Sequence, residues 1–186
     1  MVPEIEKEVD PEHFHYFGFG SNLLDERLHY GIKDATYVGV GVLKDYKLGF
    51  GGFTNRWKGA GATIFKTLDE EVWGVVWKVA HSFSEALDAQ EAAYHRLHEP
   101  IEMTTGEVIS CRTYQMTDVT SGNHLPSPHY KHVIVCGALE HKLPEHYIEK
   151  LKALPDNGYV GRVFIDLDVL KELNGDNQTT EVVEKQ

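Results

Sequence analysis

A nine-residue segment that is apolar on both sides places the tightest limit on the fold. Residues 71–79 read EVWGVVWKV. In an extended strand the two tryptophans, Val75 and Val79 share one face, while Val72 and Val76 lie on the other. A strand with two apolar faces has to be covered on both sides. We therefore expect this segment to be a central strand of a sheet and not an edge.

The segment 37–50 predicts a second and longer strand. Its even positions are apolar except for Lys44, and its odd positions are mostly glycine or charged. Glycines at positions 39, 41, 49, 51 and 52 indicate bulges or close backbone approach, as at the corner of a barrel. Shorter strands are predicted over residues 14–19, 60–66 and 108–116.

Capping residues and helical periodicity predict four helices. Asn22 is the expected N-cap of the first, Ser82 and Glu85 form a capping box for the second, and Ser127 with Pro128 begins the third. Together the elements predict an α+β domain, a small and mostly antiparallel β-barrel or mixed sheet flanked by helices. The predicted helices cover residues 23–30, 82–97, 127–139 and 144–154.

Length and composition indicate one domain. A chain of 186 residues buries about 70% of the surface that its unfolded form exposes. We place this domain at residues 14–173, between an acidic N-terminal tail of residues 1–13 and a polar C-terminal tail of residues 174–186.

Charge, hydropathy and cysteine content exclude several partners. The formal net charge is −11 and lysine and arginine do not cluster, which argues against nucleic acid. No apolar run approaches the ~20 residues that span a bilayer, and the acidic N-terminus does not resemble a secretory signal, so we expect no membrane association. Cys111 and Cys136 each lie in an apolar segment, so we expect reduced thiols and a cytoplasmic location.

The turn after the first strand is the first candidate site. A strand that passes through Gly20 and Ser21 into a helix presents backbone N–H groups without partners, which can hold a carboxylate or a phosphate. The same residues also suit an ordinary capping turn, which is the commoner use of this pattern.

The second predicted helix carries the other candidate residues. Glu91 lies about 80° from the centre of the apolar stripe of this helix. A residue at this angle can form part of a cavity wall, or it can simply be exposed to solvent. His95 and His98 follow at spacings of four and three residues, which would bring a metal triad onto one helical face. One helix rarely supplies a complete metal site, and a chain with 11 histidines produces such spacings by chance. We therefore expect no metal.

A cysteine nucleophile is a weaker hypothesis. Cys111 lies in the middle of a predicted strand, between Ile109 and Thr113 on one face. A position inside an apolar strand does not favour a thiolate, so a buried structural thiol is the favoured interpretation.

Several segments, taken in order, resemble the γ-glutamylcyclotransferase family. YFGFGSNL at 16–23 is similar to its Y-F-x-Y-G-S-N-L signature, with Phe19 where the family usually has tyrosine. EVWGVVW at 71–77 and LDAQE at 87–91 match two further motifs of the family, and its catalytic glutamate corresponds to Glu91. The resemblance continues through CRTY at 111–114 and SPHYK at 127–131 to about Gly161.

The resemblance implies a reaction and a set of site residues. Members of this family cyclise a γ-glutamyl group to 5-oxoproline and release the attached amino acid, without a cofactor. Glu91 would then be the general acid and base, and a homodimer is implied. Two alternatives stay open. One is an enzyme, a γ-glutamylamine cyclotransferase, and the other is an inactive paralogue that acts as a binding or dimerisation module. The substrate-binding residues would be Phe19, Gly20, Ser21, Asn22, Leu23 and Tyr114.

Two positions depart from the pattern of the family. The family usually has glycine directly after the catalytic glutamate and tyrosine seven residues beyond it. The chain has Ala92 and His98 there. We expect both residues to flank the substrate pocket, where they would affect substrate choice.

Overall fold

Five strands form a closed barrel in the computed structural model, which describes residues 10–119 and 124–176. The order around the barrel is β1-β3-β2-β4-β5, and every neighbouring pair is antiparallel except β1 and β5, which close it in parallel. The predicted fold class, a mostly antiparallel barrel flanked by helices, is confirmed. The strands are β1 (His13–Gly18), β2 (Thr36–Thr54), β3 (Gly59–Ala80), β4 (Tyr94–Met103) and β5 (Val108–Met116).

Strand β3 is the centre of the sheet. It pairs with β1 on one side and with β2 on the other, as the twice-apolar segment predicts. Val72, Val76 and Trp77 are fully buried. The two strands predicted at 60–66 and 71–79 are one strand of 22 residues. The polar residues between them lie in the middle of the ladder with β2, at the register shift between Lys44 and Tyr46, where Asp45 and Asp69 both adopt positive φ.

Within residues 10–119 and 124–176, four helices and three single turns of 3-10 helix surround the barrel. The N-cap residue of the first helix is Leu24 and not the predicted Asn22. The N-cap residue of the second helix is Phe83, so the predicted capping box of Ser82 and Glu85 does not form. Neither helix has a hydrogen bond to a capping side chain. Ser127 caps the third as predicted, because its hydroxyl accepts from the Tyr130 N–H at 3.1 Å. The helices are α1 (Asp25–His29), α2 (Ser84–Gln90), α3 (Pro128–Glu140) and α4 (Glu145–Lys152), and the 3-10 turns are Ser21–Leu23, His81–Phe83 and Asp168–Leu170.

The prediction that α2 runs on to residue 97 is wrong. The helix ends at Gln90, and residues 94–103 form β4, which pairs with β5 from Tyr94↔Met116 to Glu102↔Val108. Nine cross-strand residue pairs join β4 to β5 in this part of the barrel. This long-range pairing overrides the helical spacing of Tyr94 and Leu97. The spacing of residues along the chain contains no information about which strand will pair with them.

The predicted domain limits of 14–173 stay a prediction. Residues 1–9 and 177–186, which make up most of the two predicted tails, lie outside the described residues. Strand β1 begins at His13, one residue before the predicted limit. In the ranges that the structure describes, no helix is long and apolar enough to cross a bilayer.

Candidate active site

A cavity of about 600 Å³ opens between the Ser21–Leu23 turn, the end of α2 and the wall of the barrel. It brings together the turn and Glu91, which the sequence treats as two separate candidates. Its lining combines residues of the turn with aromatic, charged and amide side chains. From the turn come Gly20, Ser21 and Asn22, and the others include Tyr16, Phe19, Arg27, Arg56, Trp57, Gln90, Glu91, Tyr94, Tyr114 and Tyr130.

The turn presents backbone donors to this cavity. Among the described residues, the N–H groups of Gly20, Ser21 and Asn22 donate no backbone hydrogen bond. The N–H of Leu23 is different, because it donates to the Gly20 carbonyl at 3.0 Å and the Leu23 side chain is fully buried. The cavity is lined by Phe19, Gly20, Ser21 and Asn22. Leu23 does not line it, because its side chain is buried in the core.

The central strand holds the turn in place. The indole N–H of Trp77 on β3 donates to the backbone carbonyl of Asn22 at 3.1 Å, in a buried position. On the other side, Gly137 of α3 lies so close that a Cβ there would stand 2.6 Å from Leu23 Cβ and from Leu24 N. The turn is thus fixed between the strand and the helix before any ligand arrives.

Asn22 links the turn to Glu91. Its buried amide donates to the Tyr16 hydroxyl at 2.9 Å and reaches Oε1 of Glu91 at 3.5 Å. Its Oδ1 atom is buried and has no hydrogen-bond partner within the described residues. The side chain predicted as a helix cap therefore orients the carboxylate instead.

Glu91 is positioned at the C-terminal end of α2. Its N–H donates to the Leu87 carbonyl at 3.3 Å and to the Asp88 carbonyl at 3.1 Å. Burial raises the pKa of its carboxyl from 4.5 to about 7, because the ionised form loses its hydration, and the positive charge of Arg27 opposes this rise. A carboxyl with a pKa near 7 can both take and return a proton at neutral pH.

A charged network anchors the helix that carries Glu91. Asp88 accepts from the Tyr114 hydroxyl at 2.6 Å and from Nε of Arg96 at 2.8 Å, and Nη2 of Arg96 reaches its other oxygen. The hydrogen bonds from Arg96 and then from Tyr114 lower the pKa of Asp88 to about 2. Tyr114 lines the cavity, and its hydroxyl is held by Asp88. Its role in substrate binding stays a prediction.

The sequence interpretation missed several further lining residues, among them Tyr94, Tyr130 and Arg27. The Tyr94 hydroxyl donates to the Ala62 carbonyl at 2.7 Å, and the Ala62 N–H donates to the Tyr130 hydroxyl at 3.1 Å, so both rings are fixed against β3. Arg27 is only 5% exposed. No local signal in the sequence marks it, because an arginine in a short helix is usually solvated.

Comparisons with known proteins are consistent over nearly the whole chain. A gamma-glutamylcyclotransferase of Homo sapiens is 44% identical over 91% of this chain and 93% of its own length. One of Bos taurus is 44% identical over 89% of this chain and 92% of its own. The chain belongs to the γ-glutamylcyclotransferase family. The resemblance stated from the motifs is thereby confirmed.

The fold comparison and a family profile agree with this assignment. A solved structure named gamma-glutamyl cyclotransferase superimposes with a TM-score of 0.81 at 40% identity, covering 88% of this chain and 99% of that one. The profile of the AIG2-like family matches residues 71–151. This matched segment contains the central strand and Glu91.

The two departures from the pattern of the γ-glutamylcyclotransferase family lie outside the cavity. Ala92 and His98 are both exposed and do not line it, although Ala92 directly follows the lining residue Glu91. For His98 the reason is the early end of α2, because this residue lies on β4, four positions beyond Tyr94, and not on the helix. Their effect on substrate choice stays a prediction.

The hypotheses of a metal triad and of a cysteine nucleophile have no support in this geometry. His95 and His98 lie on β4 and not on the helix of Glu91. In the ranges 10–119 and 124–176, no three metal-binding side chains gather. Cys111 is fully buried, and burial raises the pKa of its thiol to about 12, against a reactive thiolate.

Proposed function

We propose that this protein is a γ-glutamylcyclotransferase in which Glu91 is the general acid and base. It cyclises γ-glutamyl amino acids to 5-oxoproline and releases the free amino acid. The observation that supports this proposal most is the position of Glu91, whose pKa is about 7, beside the backbone donors of Gly20 and Ser21 in one cavity.

The reaction needs little from the protein beyond proton transfer and orientation. The α-amine of the substrate attacks its own γ-carbonyl carbon, so the nucleophile is already tethered. Glu91 removes a proton from the ammonium group, which makes the nitrogen nucleophilic. The C–N bond of the lactam forms, and the attacking nitrogen gives up a second proton as the bond to the leaving nitrogen breaks. Both protons end on the leaving nitrogen, which departs as an ammonium group, with Glu91 as the proton carrier.

The donors of the turn bind the glutamyl half of the substrate. The N–H groups of Gly20, Ser21 and Asn22 donate no backbone hydrogen bond within the described ranges and are free to donate to the α-carboxylate or to the oxyanion that develops on the γ-carbonyl. The α-carboxylate and the α-amine share one carbon atom. A carboxylate on the turn would therefore place the amine next to Glu91, since Asn22 of the turn contacts it.

Replacement of Glu91 by glutamine tests this role. We expect Glu91→Gln to bind γ-glutamyl-alanine nearly as well as the unmodified protein and to lose at least about 100-fold in kcat for 5-oxoproline release. Glu85→Gln is the matched control, because Glu85 lies exposed on the same helix. Full activity of Glu91→Gln would refute the proposed mechanism.

Two other functions are less well supported. A non-catalytic module would require that the departures Ala92 and His98 disable the site, yet both lie outside the cavity. Release of 5-oxoproline by the unmodified protein excludes this alternative in one assay. A γ-glutamylamine cyclotransferase is distinguished by comparing γ-glutamyl-alanine with ε-(γ-glutamyl)-lysine as substrates.

Location and assembly are further parts of the proposal. We infer a cytoplasmic enzyme of glutathione-linked metabolism that acts as a lyase or acyltransferase and assembles as a homodimer. Two free cysteines, Cys111 and Cys136, support a reducing compartment. Fractionation of cells checks the location, and light scattering of the purified protein checks the dimer.

A further inference from the structure

Arg27 is a buried cation at the wall of the cavity, and two of its guanidinium nitrogens lack a hydrogen-bond partner within the described residues. It is 5% exposed, and its Nε and Nη1 atoms are buried with no hydrogen-bond partner within the described residues. It lines the same cavity as Glu91. The ion pairs found within the described ranges do not include Arg27.

This arrangement indicates a missing anion. A guanidinium group stays charged in a protein, and a buried charge is normally paired and hydrogen-bonded because its lost hydration is costly. Burial lowers the pKa of Arg27, the nearby guanidinium of Arg56 lowers it further, and the carboxyl of Glu91 opposes this without forming a hydrogen bond to Arg27. A ligand carboxylate in the cavity would supply both the charge and the acceptors, since the planar fork of arginine matches its two oxygens.

The substrate offers two different carboxylates. One belongs to the glutamyl half, on the carbon atom that carries the attacking amine, and we assign it to the turn beside Glu91. The second is present only when the leaving group is an α-amino acid, and a γ-glutamyl amine lacks it. Within the cavity, Arg27 is the buried cation that remains for this second carboxylate.

The charges of the cavity fit a substrate with two carboxylates. Two guanidinium groups, Arg27 and the exposed Arg56, line it together with Glu91. At neutral pH a γ-glutamyl α-amino acid carries one net negative charge, whereas a γ-glutamyl amine carries none. The excess of positive charge therefore favours the first class of substrate.

We propose that Arg27 binds the carboxylate of the leaving amino acid and so selects γ-glutamyl α-amino acids over γ-glutamyl amines. This inference rests on the proposed function and adds the class of leaving group to it. Arg27 acts as a specificity-determining residue that touches the substrate away from the reacting atoms.

A pair of substrates tests the proposal. γ-Glutamyl-alanine and γ-glutamyl-ethylamine differ only in the carboxylate of the leaving group, and 5-oxoproline release reports on both. We expect the unmodified protein to prefer γ-glutamyl-alanine by about 100-fold in kcat/KM. In Arg27→Gln, kcat/KM should fall by about 100-fold for γ-glutamyl-alanine and by no more than about 3-fold for γ-glutamyl-ethylamine.

The control is Arg162→Gln, which removes an exposed guanidinium outside the cavity and should leave the preference unchanged. Thermal unfolding shows whether each variant is folded. If Arg27→Gln does not fold, the test rests on the ratio of kcat/KM for γ-glutamyl-alanine to that for γ-glutamyl-ethylamine in the unmodified protein.

Equal kcat/KM for the two substrates in the unmodified protein would overturn the proposal. An equal loss on both substrates in Arg27→Gln would also overturn it, because Arg27 would then serve the shared glutamyl half. These results leave the proposed function intact. Failure of the unmodified protein to release 5-oxoproline from either substrate would instead refute the proposed function itself.

Discussion

The amide nitrogen of Asn22 lies 3.5 Å from Oε1 of Glu91, although the two residues are 69 positions apart in the chain. This contact joins the turn after the first strand to the end of the helix after the third. It places backbone donors and a proton carrier against the same cavity. The proposed cyclisation depends on this proximity, because one small glutamyl group has to touch both.

The pH dependence of the reaction should report on Glu91. Burial raises the pKa of its carboxyl to about 7, and only the ionised form can take the proton of the substrate amine. We expect kcat/KM for 5-oxoproline release to fall as pH decreases below about 7. A profile measured between pH 5 and 8 checks this. A limb near 4.5, the ordinary pKa of a glutamate, would contradict the assignment.

Glu91→Gln should stabilise the protein at alkaline pH. The folded pKa of about 7 exceeds the unfolded value of 4.5, so the folded state binds the proton more tightly and stability falls as pH rises from 4.5 to 7. Glutamine does not ionise and escapes this loss. At pH 8 we expect the variant to gain up to about 3 kcal/mol in free energy of unfolding.

Urea unfolding at pH 8 and at pH 4.5 measures this difference. At pH 4.5 both forms are largely uncharged at this position, and the advantage should largely disappear. Glu85→Gln, on the exposed side of the same helix, serves as the control and should show no such pH dependence. An advantage of equal size at both values of pH would mean that repacking, and not ionisation, causes it.

Asp88→Asn should impair catalysis through the position of Glu91. The α2 helix has seven residues, of which Leu87 is the buried one, and such a short helix depends on tertiary anchors. The variant weakens the hydrogen bonds from Tyr114 and Arg96. We expect kcat to fall about 10-fold with KM for γ-glutamyl-alanine nearly unchanged.

The pH profile separates this positioning role from a proton-transfer role. The pKa of Asp88 is about 2, so it stays ionised throughout the working range and its loss should not move the limb near 7. Tyr114→Phe, which removes one of the same hydrogen bonds, should give a smaller decrease in kcat. A shifted limb in Asp88→Asn would contradict a purely positioning role.

Gly137→Ala should disturb the turn from the side of α3. The added Cβ would lie 2.6 Å from Leu24 N and from Leu23 Cβ, too close for either neighbour to stay in place. We expect a loss of about 1–3 kcal/mol in stability and a decrease in kcat/KM. Leu139→Ala, at a half-exposed position of the same helix, is the control and should have little effect. Unfolding curves and 5-oxoproline assays of both variants check this.

The sequence predicts those parts of the fold that depend on local pattern. The twice-apolar segment 71–79 predicts a central strand, and Ser127 before Pro128 predicts the start of α3, since each signal lies within a few residues. The end of α2 could not be predicted in this way. Tyr94 and Leu97 continue a helical spacing, and only the pairing of β4 with β5 makes them part of a strand.

The site shows the same division. Glu91 and the turn residues were found because the motifs of a family point to them, and the structure brings them to one cavity. Arg27 was missed because a single arginine in a short helix looks like a solvated residue. Its burial depends on α1 lying against the turn, and the lack of a hydrogen-bond partner for two of its nitrogens within the described residues is visible only once the surrounding atoms are placed.

A crystal structure of Glu91→Gln with γ-glutamyl-alanine tests the central claim most directly. We predict the glutamyl α-carboxylate or the γ-carbonyl oxygen about 3 Å from the N–H groups of Gly20 and Ser21, with the α-amine within hydrogen-bond reach of the side chain at position 91. A substrate bound elsewhere, or one whose amine points away from position 91, would contradict the account.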